Sequence, residues 1–119
     1  MKKTMIMMIT LVFVASCAKT NTQVPLLIYD MNDAYMHDFE SKLQEVGLEG
    51  YVIQTYDGQH SQVIQNEQID RLLNNKHPLL IINPVDRLSA HVIIERAKAS
   101  DTSIIFFNRE PLMSDLIRY

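Results

Sequence analysis

Four apolar runs recur along the chain at nearly equal intervals, and each stops against a short polar side chain. The runs end at Tyr29, Tyr56, Ile82 and Phe107, and the next residues are Asp30, Asp57, Asn83 and Asn108. The spacings are 27, 26 and 25 residues. Each interval holds one strand, one helix and two short loops, the alternation expected of a parallel sheet joined by crossover connections. The last run, Ser-Ile-Ile-Phe-Phe-Asn-Arg-Glu-Pro over residues 103–111, reads as a buried strand opening into a loop. The predicted fold class is α/β, a parallel sheet with flanking helices. In such sheets ligands bind outside the carboxyl ends of the strands, where these four polar residues stand.

The segments between the runs read as helices. After Asp33, an N-cap, Met36, Phe39, Leu43 and Val46 recur at helical spacing and Gly47 supplies a stop. Residues 61–75 put Ile69, Leu72 and Leu73 on one face, with a Gln/Asn-rich side opposite. A third helix is expected from Asp86, burying Ala90, Ile93, Ile94 and Ala97. The three segments share no motif, which favours one sheet over a solenoid of repeats. Residues 112–119 carry no clear pattern, so the fourth strand is expected at an exposed, apolar edge.

The chain opens with Lys2 and Lys3, an apolar run over residues 5–15, and then Val14-Ala15-Ser16-Cys17. The run is short for a membrane span and has the layout of a secretory signal. Its last four residues resemble the lipobox of bacterial lipoproteins, in which the cysteine, here Cys17, becomes the lipidated first residue of the mature chain. The competing reading is an ordinary signal peptide with a cysteine near its cleavage site. Cys17 is the single cysteine, which excludes an internal disulfide framework and a cysteine-built metal site. The formal charge is -3 over 119 residues, and a surface of that sign does not favour nucleic acid.

The polar residues at the strand ends and in the loops after them are Asp30, Asn32, Asp33, Tyr35, Asp57, Asn83, Asp86 and Asn108. Carboxylates and amides beside an aromatic ring suit a sugar: they bond its hydroxyls, and the ring packs on its C–H face. The same residue types also serve as helix caps and turn formers, and the chemistry leaves both readings open. The four histidines lack metal-ligand spacing, the serines lack a nucleophile elbow, and no glycine-rich loop follows the first strand. No catalytic constellation emerges, and an enzyme is not expected.

Several stretches resemble the amino-terminal part of the bacterial periplasmic galactose/glucose-binding proteins, sugar-binding components of ABC importers with the type I periplasmic binding protein fold. They are Ile28-Tyr29 with Asp33 and Tyr35-Met36, Gln65-Asn66-Glu67-Gln68-Ile69-Asp70, Asn83-Pro84-Val85-Asp86, Ile94-Glu95-Arg96-Ala97, and Phe106-Phe107-Asn108-Arg109-Glu110-Pro111. The resemblance covers residues 24–111. It implies a clamshell of two lobes closing on one monosaccharide, with Asp33 and Asn108 on sugar hydroxyls and Tyr35 stacked on a ring face. Tyr35 stands where the family usually has Phe; the ring keeps its stacking face and gains a hydroxyl that needs a partner. The family's second lobe, with its calcium loop, has no counterpart in this sequence, so no cofactor is expected here.

The leader residues and this resemblance together divide the chain into a lipoprotein-type signal peptide at residues 1–16, a tether at 17–23, a partial amino-terminal lobe at 24–111 and a truncated end at 112–119. It implies an exported protein on the periplasmic or extracellular face, anchored by lipid at Cys17. Its partners would be galactose or glucose, the ABC permease and, in some relatives, a chemoreceptor. A half-lobe with an interaction or sensory role outside transport, and an inactive gene remnant, are the competing expectations.

Overall fold

The computed structural model of the chain describes residues 21–118. The signal-peptide stretch, Cys17 and residues 17–20 of the tether lie outside the described residues. Among the described residues four strands and four helices alternate: β1 (Thr22–Ile28), α1 (Ala34–Val46), β2 (Tyr51–Asp57), α2 (Gln62–Asn74), β3 (Leu79–Ile82), α3 (Ala90–Ala99), β4 (Ser103–Phe106) and α4 (Met113–Arg118). A single 3-10 turn, Arg87–Ser89, leads into α3. The sheet is parallel throughout, in the order β2-β1-β3-β4. The expected α/β architecture is present.

Strand alternation decides which core each residue joins. Leu27, Leu80 and Ile82 face one side, where Ile69, Leu72 and Leu73 of α2 and Ile93 and Ala97 of α3 cover them. Val24, Leu26, Ile28 and Ile53 face the other side, covered by Met36 and Leu43 of α1. One helix does the work of two on that second face, so Ile81 is only half-buried and Ile105 is 51% exposed. β4 has β3 alone as a strand neighbour among the described residues, which leaves it at the sheet edge as the sequence suggests.

Three local details differ from the sequence reading. β1 starts two residues before Val24: Thr22 and Gln23 pair with Tyr51 and Val52, and the Thr22 N–H donates to the Gly50 carbonyl at 2.9 Å. Backbone pairing at a strand end needs no apolar side chain. Residues 113–118 form α4, a helix for which the sequence offered no pattern. The third helix is preceded by the tight turn at Arg87–Ser89, because the Asp86 carboxylate accepts from the Leu88 N–H at 2.9 Å and sits 3.1 Å from the Ser89 hydroxyl. Pro25 lies inside a central strand without cost. The ladder from β1 to β3 begins only at Leu26, one residue past the missing N–H.

The order of the strands sets the position of the site. From β1 the chain crosses outward to β2, then returns over the sheet to β3 on the other flank. The carboxyl ends of β1 and β3 therefore border the point where the connections diverge, which is where a crevice opens. There the β2–α2 loop folds back onto β1. The Gly58 N–H donates to the Ile28 carbonyl at 2.7 Å and the His60 N–H to the Tyr29 carbonyl at 2.8 Å. A Cβ at Gly58 would lie 3.0 Å from both the Ile28 and Tyr29 carbonyl oxygens and 3.2 Å from Val85 Cγ2.

Gly58→Ala is accordingly expected to force the loop off β1 and to destabilise the fold by about 1–3 kcal/mol. Urea unfolding monitored by circular dichroism measures this directly. An unchanged midpoint would contradict the close approach.

Candidate functional site

The loops at the carboxyl end of the sheet are built from short polar residues that satisfy backbone groups, and one cluster is left facing solvent. Asp57 Oδ1 accepts from the Met31 N–H at 3.0 Å and the Gln59 N–H at 2.9 Å, tying the β1–α1 loop to the β2–α2 loop. Asp30 Oδ1 accepts from the backbone and side chain of Asn32 at 2.9 and 3.1 Å, and its Oδ2 lies 3.7 Å from His60 Nδ1. Asp86 caps its own turn. Asn83 is fully buried, with Nδ2 toward the Met36 sulfur at 3.5 Å. Five of the polar candidates, Asp30, Asn32, Asp57, Asn83 and Asp86, thus act in turns or in the core, which is the bland reading the sequence left open.

The glutamines of α2 extend the same scaffold. Gln65 and Gln68 are buried, not displayed on a polar outer face as the sequence suggested. They lie at i−4 from Ile69 and Leu72, so they share the core-facing stripe. Gln65 Nε2 donates to the Asn83 carbonyl at 2.9 Å while its Oε1 accepts from the Val85 N–H at 3.0 Å. Gln68 Nε2 donates to the Asp57 carbonyl at 2.7 Å, and Gln62 Oε1 accepts from the Asp86 N–H at 2.7 Å. One helix therefore holds the loops after β2 and β3 through side chains. The backbone satisfies both ends of the Gln65 amide and the Gln68 nitrogen, while Gln68 Oε1 and Asn83 Oδ1 are buried without a hydrogen-bond partner among the described residues.

Asp33, Tyr35 and Asn108 remain. Asp33 is the N-cap of α1: Oδ1 accepts from the Met36 N–H at 3.0 Å, and Oδ2 accepts from the Tyr29 hydroxyl at 2.5 Å. These hydrogen bonds, the phenol's first, hold the Asp33 carboxyl below the usual carboxylate range, and Arg109 adds to the effect. The same bond raises the Tyr29 phenol above its ordinary value, with burial acting in the same direction. Tyr35, in the first turn of α1, is 65% exposed, and its ring is available as a flat apolar surface. Asn108 is exposed and has φ 60, a left-handed conformation that Asn adopts more readily than most residues.

These three candidates come from the two ends of the site, and two residues absent from the sequence-derived set connect them. Arg109, next to Asn108, places its guanidinium 3.7 Å from the centroid of the Tyr29 ring and donates from Nη1 to the Val85 carbonyl at 2.9 Å. Tyr29 in turn bonds Asp33. Phe107 stacks on Phe39 of α1, with centroids 5.1 Å apart and planes 25° from parallel. The loop after β4 is thereby fastened to α1 across β3 and β1. Tyr29 closes an apolar run and reads as core in the sequence, not as a site residue. The sequence signal for its role is its place four residues before an N-cap carboxylate.

No protein-family model matches the chain. It is 35% identical over 101 residues to the D-galactose/methyl-galactoside binding periplasmic protein MglB of Haemophilus influenzae, a match spanning 82% of this chain and 30% of that protein. A periplasmic solute-binding protein of an ABC transporter from Actinobacillus succinogenes, with bound D-allose, superimposes with a TM-score of 0.68 at 14% identity, covering 82% of this chain and 35% of that one. A carbohydrate transporter solute-binding protein from Chloroflexus aurantiacus, in complex with D-glucose, gives 0.56 at 24% identity, covering 76% and 26%. The two structures establish the fold, that of the periplasmic binding proteins. The chain spans about a third of the length of these relatives or less. All three are described as sugar- or solute-binding proteins.

The depressed Asp33 carboxyl carries a sign for stability. Its contribution is present above the ordinary carboxylate value of 3.8 and is lost as pH falls through the lower folded value. Urea midpoints followed from about pH 7 down to about pH 2 are expected to fall less steeply in Asp33→Asn than in the parent chain. An identical acid slope in the two would contradict the Tyr29 and Met36 bonds to this carboxylate. Asp33→Ala, which removes the cap, should melt at lower temperature than Asp33→Asn, which can still accept from the Met36 N–H.

Proposed function

We propose that the chain supplies one side of a monosaccharide site in the substrate-binding component of an ABC-type importer, with galactose or glucose as the sugar. The observation that carries this reading is the pairing of an ionised, hydrogen-bonded Asp33 with the exposed ring of Tyr35 on one helix turn. A carboxylate offers about four lone-pair sites; the Tyr29 hydroxyl and the Met36 N–H occupy two of those on Asp33 and the Tyr35 N–H also acts on it, which leaves room for a sugar hydroxyl to donate. The Tyr35 ring packs against the C–H face of the pyranose. Asn108 contributes one donor and one acceptor from the loop after β4.

Support for the class of ligand comes from the galactose-binding relative and from the two sugar-bound structures of the same fold. In this reading the protein is exported, lipid-anchored at Cys17, and delivers sugar to a membrane permease. The site as described faces solvent, so its few hydrogen bonds compete with water. The 119-residue chain is therefore expected to bind galactose or glucose with a dissociation constant in the millimolar range, about −4 kcal/mol. Titration calorimetry at high sugar concentration checks this. Asp33→Asn should weaken binding about tenfold, since it converts a charged acceptor into a neutral amide. Heats equal to dilution, or micromolar affinity that survives Asp33→Asn, would contradict the assignment.

A further inference from the structure

The Asp33 carboxylate is held by a side chain that makes no sense as core alone. Tyr29 is only 8% exposed, yet its hydroxyl is aimed at a carboxylate on the solvent side of the site. Its ring is gripped on two sides. The Arg109 guanidinium lies 3.7 Å from the ring centroid, and the His60 ring meets it edge-on at 5.7 Å. Arg109 is itself pinned to the Val85 carbonyl. A phenol fixed in this way cannot swing to another partner without losing the Arg109 contact that ties the end of β1 to the loop after β4. Phenylalanine would fill the same space, so the hydroxyl answers to the carboxylate and not to packing.

We propose that Tyr29, clamped by Arg109, is a positioning residue for the monosaccharide site: its hydroxyl fixes Asp33 Oδ2 so that the remaining acceptor capacity points at a sugar hydroxyl. The inference rests on the sugar-site reading of Asp33. With Oδ1 committed to the Met36 N–H and Oδ2 to Tyr29, both oxygens are oriented and the carboxylate meets a ligand as an acceptor only. An unclamped carboxylate would rotate about its Cβ–Cγ bond and lose that order on binding, which lowers affinity through entropy. The charged and titratable groups that act on Asp33 are Tyr29 at the end of β1 and Arg109 after β4; Asp30 and His60, 3.7 Å apart, flank Tyr29 in turn.

The test compares Tyr29→Phe, Arg109→Lys and the parent chain in two readouts. The first is the titration of the Asp33 side-chain carboxyl in the ligand-free protein, followed by carbon-detected NMR. The second is galactose affinity as a function of pH. Tyr29→Phe is expected to raise the midpoint of the Asp33 titration, to weaken galactose binding about tenfold at neutral pH, and to move the acid loss of binding to higher pH. Arg109→Lys keeps the charge but lacks the planar guanidinium, and should produce a smaller change in the same directions. An unmoved Asp33 titration in Tyr29→Phe overturns the proposal, even if affinity falls, because the loss would then come from packing. An unmoved affinity overturns it as well. If the parent chain binds no monosaccharide, the functional reading fails, and the ligand-free titration alone decides whether the tyrosine orders the carboxylate.

Discussion

The burial of β1 on both faces governs the rest of the structure. Leu26, Leu27 and Ile28 have no exposed surface, and they alternate between two separate cores. A strand of that kind must sit inside a sheet with helices on both sides, which excludes a hairpin arrangement and requires crossover connections. Once β2 and β3 flank β1, the chain must leave it in one direction and come back in the other. The loops that diverge there have their backbone groups at the carboxyl end of the sheet, and those groups need partners. The polar residues of the strand ends meet that demand first, and only what is left over can face a ligand.

This ordering explains the division of labour among residues of similar chemistry. Asp30, Asp57 and Asp86 accept from nearby backbone N–H groups, and the glutamines of α2 reach across to the loops after β2 and β3. Each of these bonds is worth about 1 kcal/mol net, but leaving the same group unpaired in a buried loop would cost more. Asp33 differs because it caps a helix whose first turn is at the surface, so it serves the backbone and still presents acceptor capacity outward. The stacking of Phe107 on Phe39 and of Arg109 on Tyr29 then brings the last loop over to the same helix. The site is rigid on its inner side and open on its outer side.

The regular parts of this architecture were legible in the sequence because they rest on local periodicity and capping. The interval of 25–27 residues set the four strands, and Asp33, Ser61 and Gly47 marked helix ends that the structure keeps. What was not legible depends on groups far apart in the chain. The fate of Gln65 and Gln68 hinges on carbonyl and amide groups of the loops after β2 and β3, which no pattern within α2 announces. Tyr29 looks apolar by its neighbours in the run, and Arg109 looks solvated by its type; only the fold puts one over the other. α4 is six residues long, so its apolar residues Met113, Leu116 and Ile117 repeat over less than two turns, too short a stretch for periodicity to stand out.

The central claim is that the loops after β1 and β4 form one side of a sugar site around Asp33, Tyr35 and Asn108. Its most direct test is the map of amide and aromatic NMR shifts on addition of galactose to the 119-residue chain. The account predicts changes confined to residues 29–36 and 107–110, with the Tyr35 ring protons shifted by the sugar face. Changes spread evenly over the chain, or centred on α3 and α4, would contradict it.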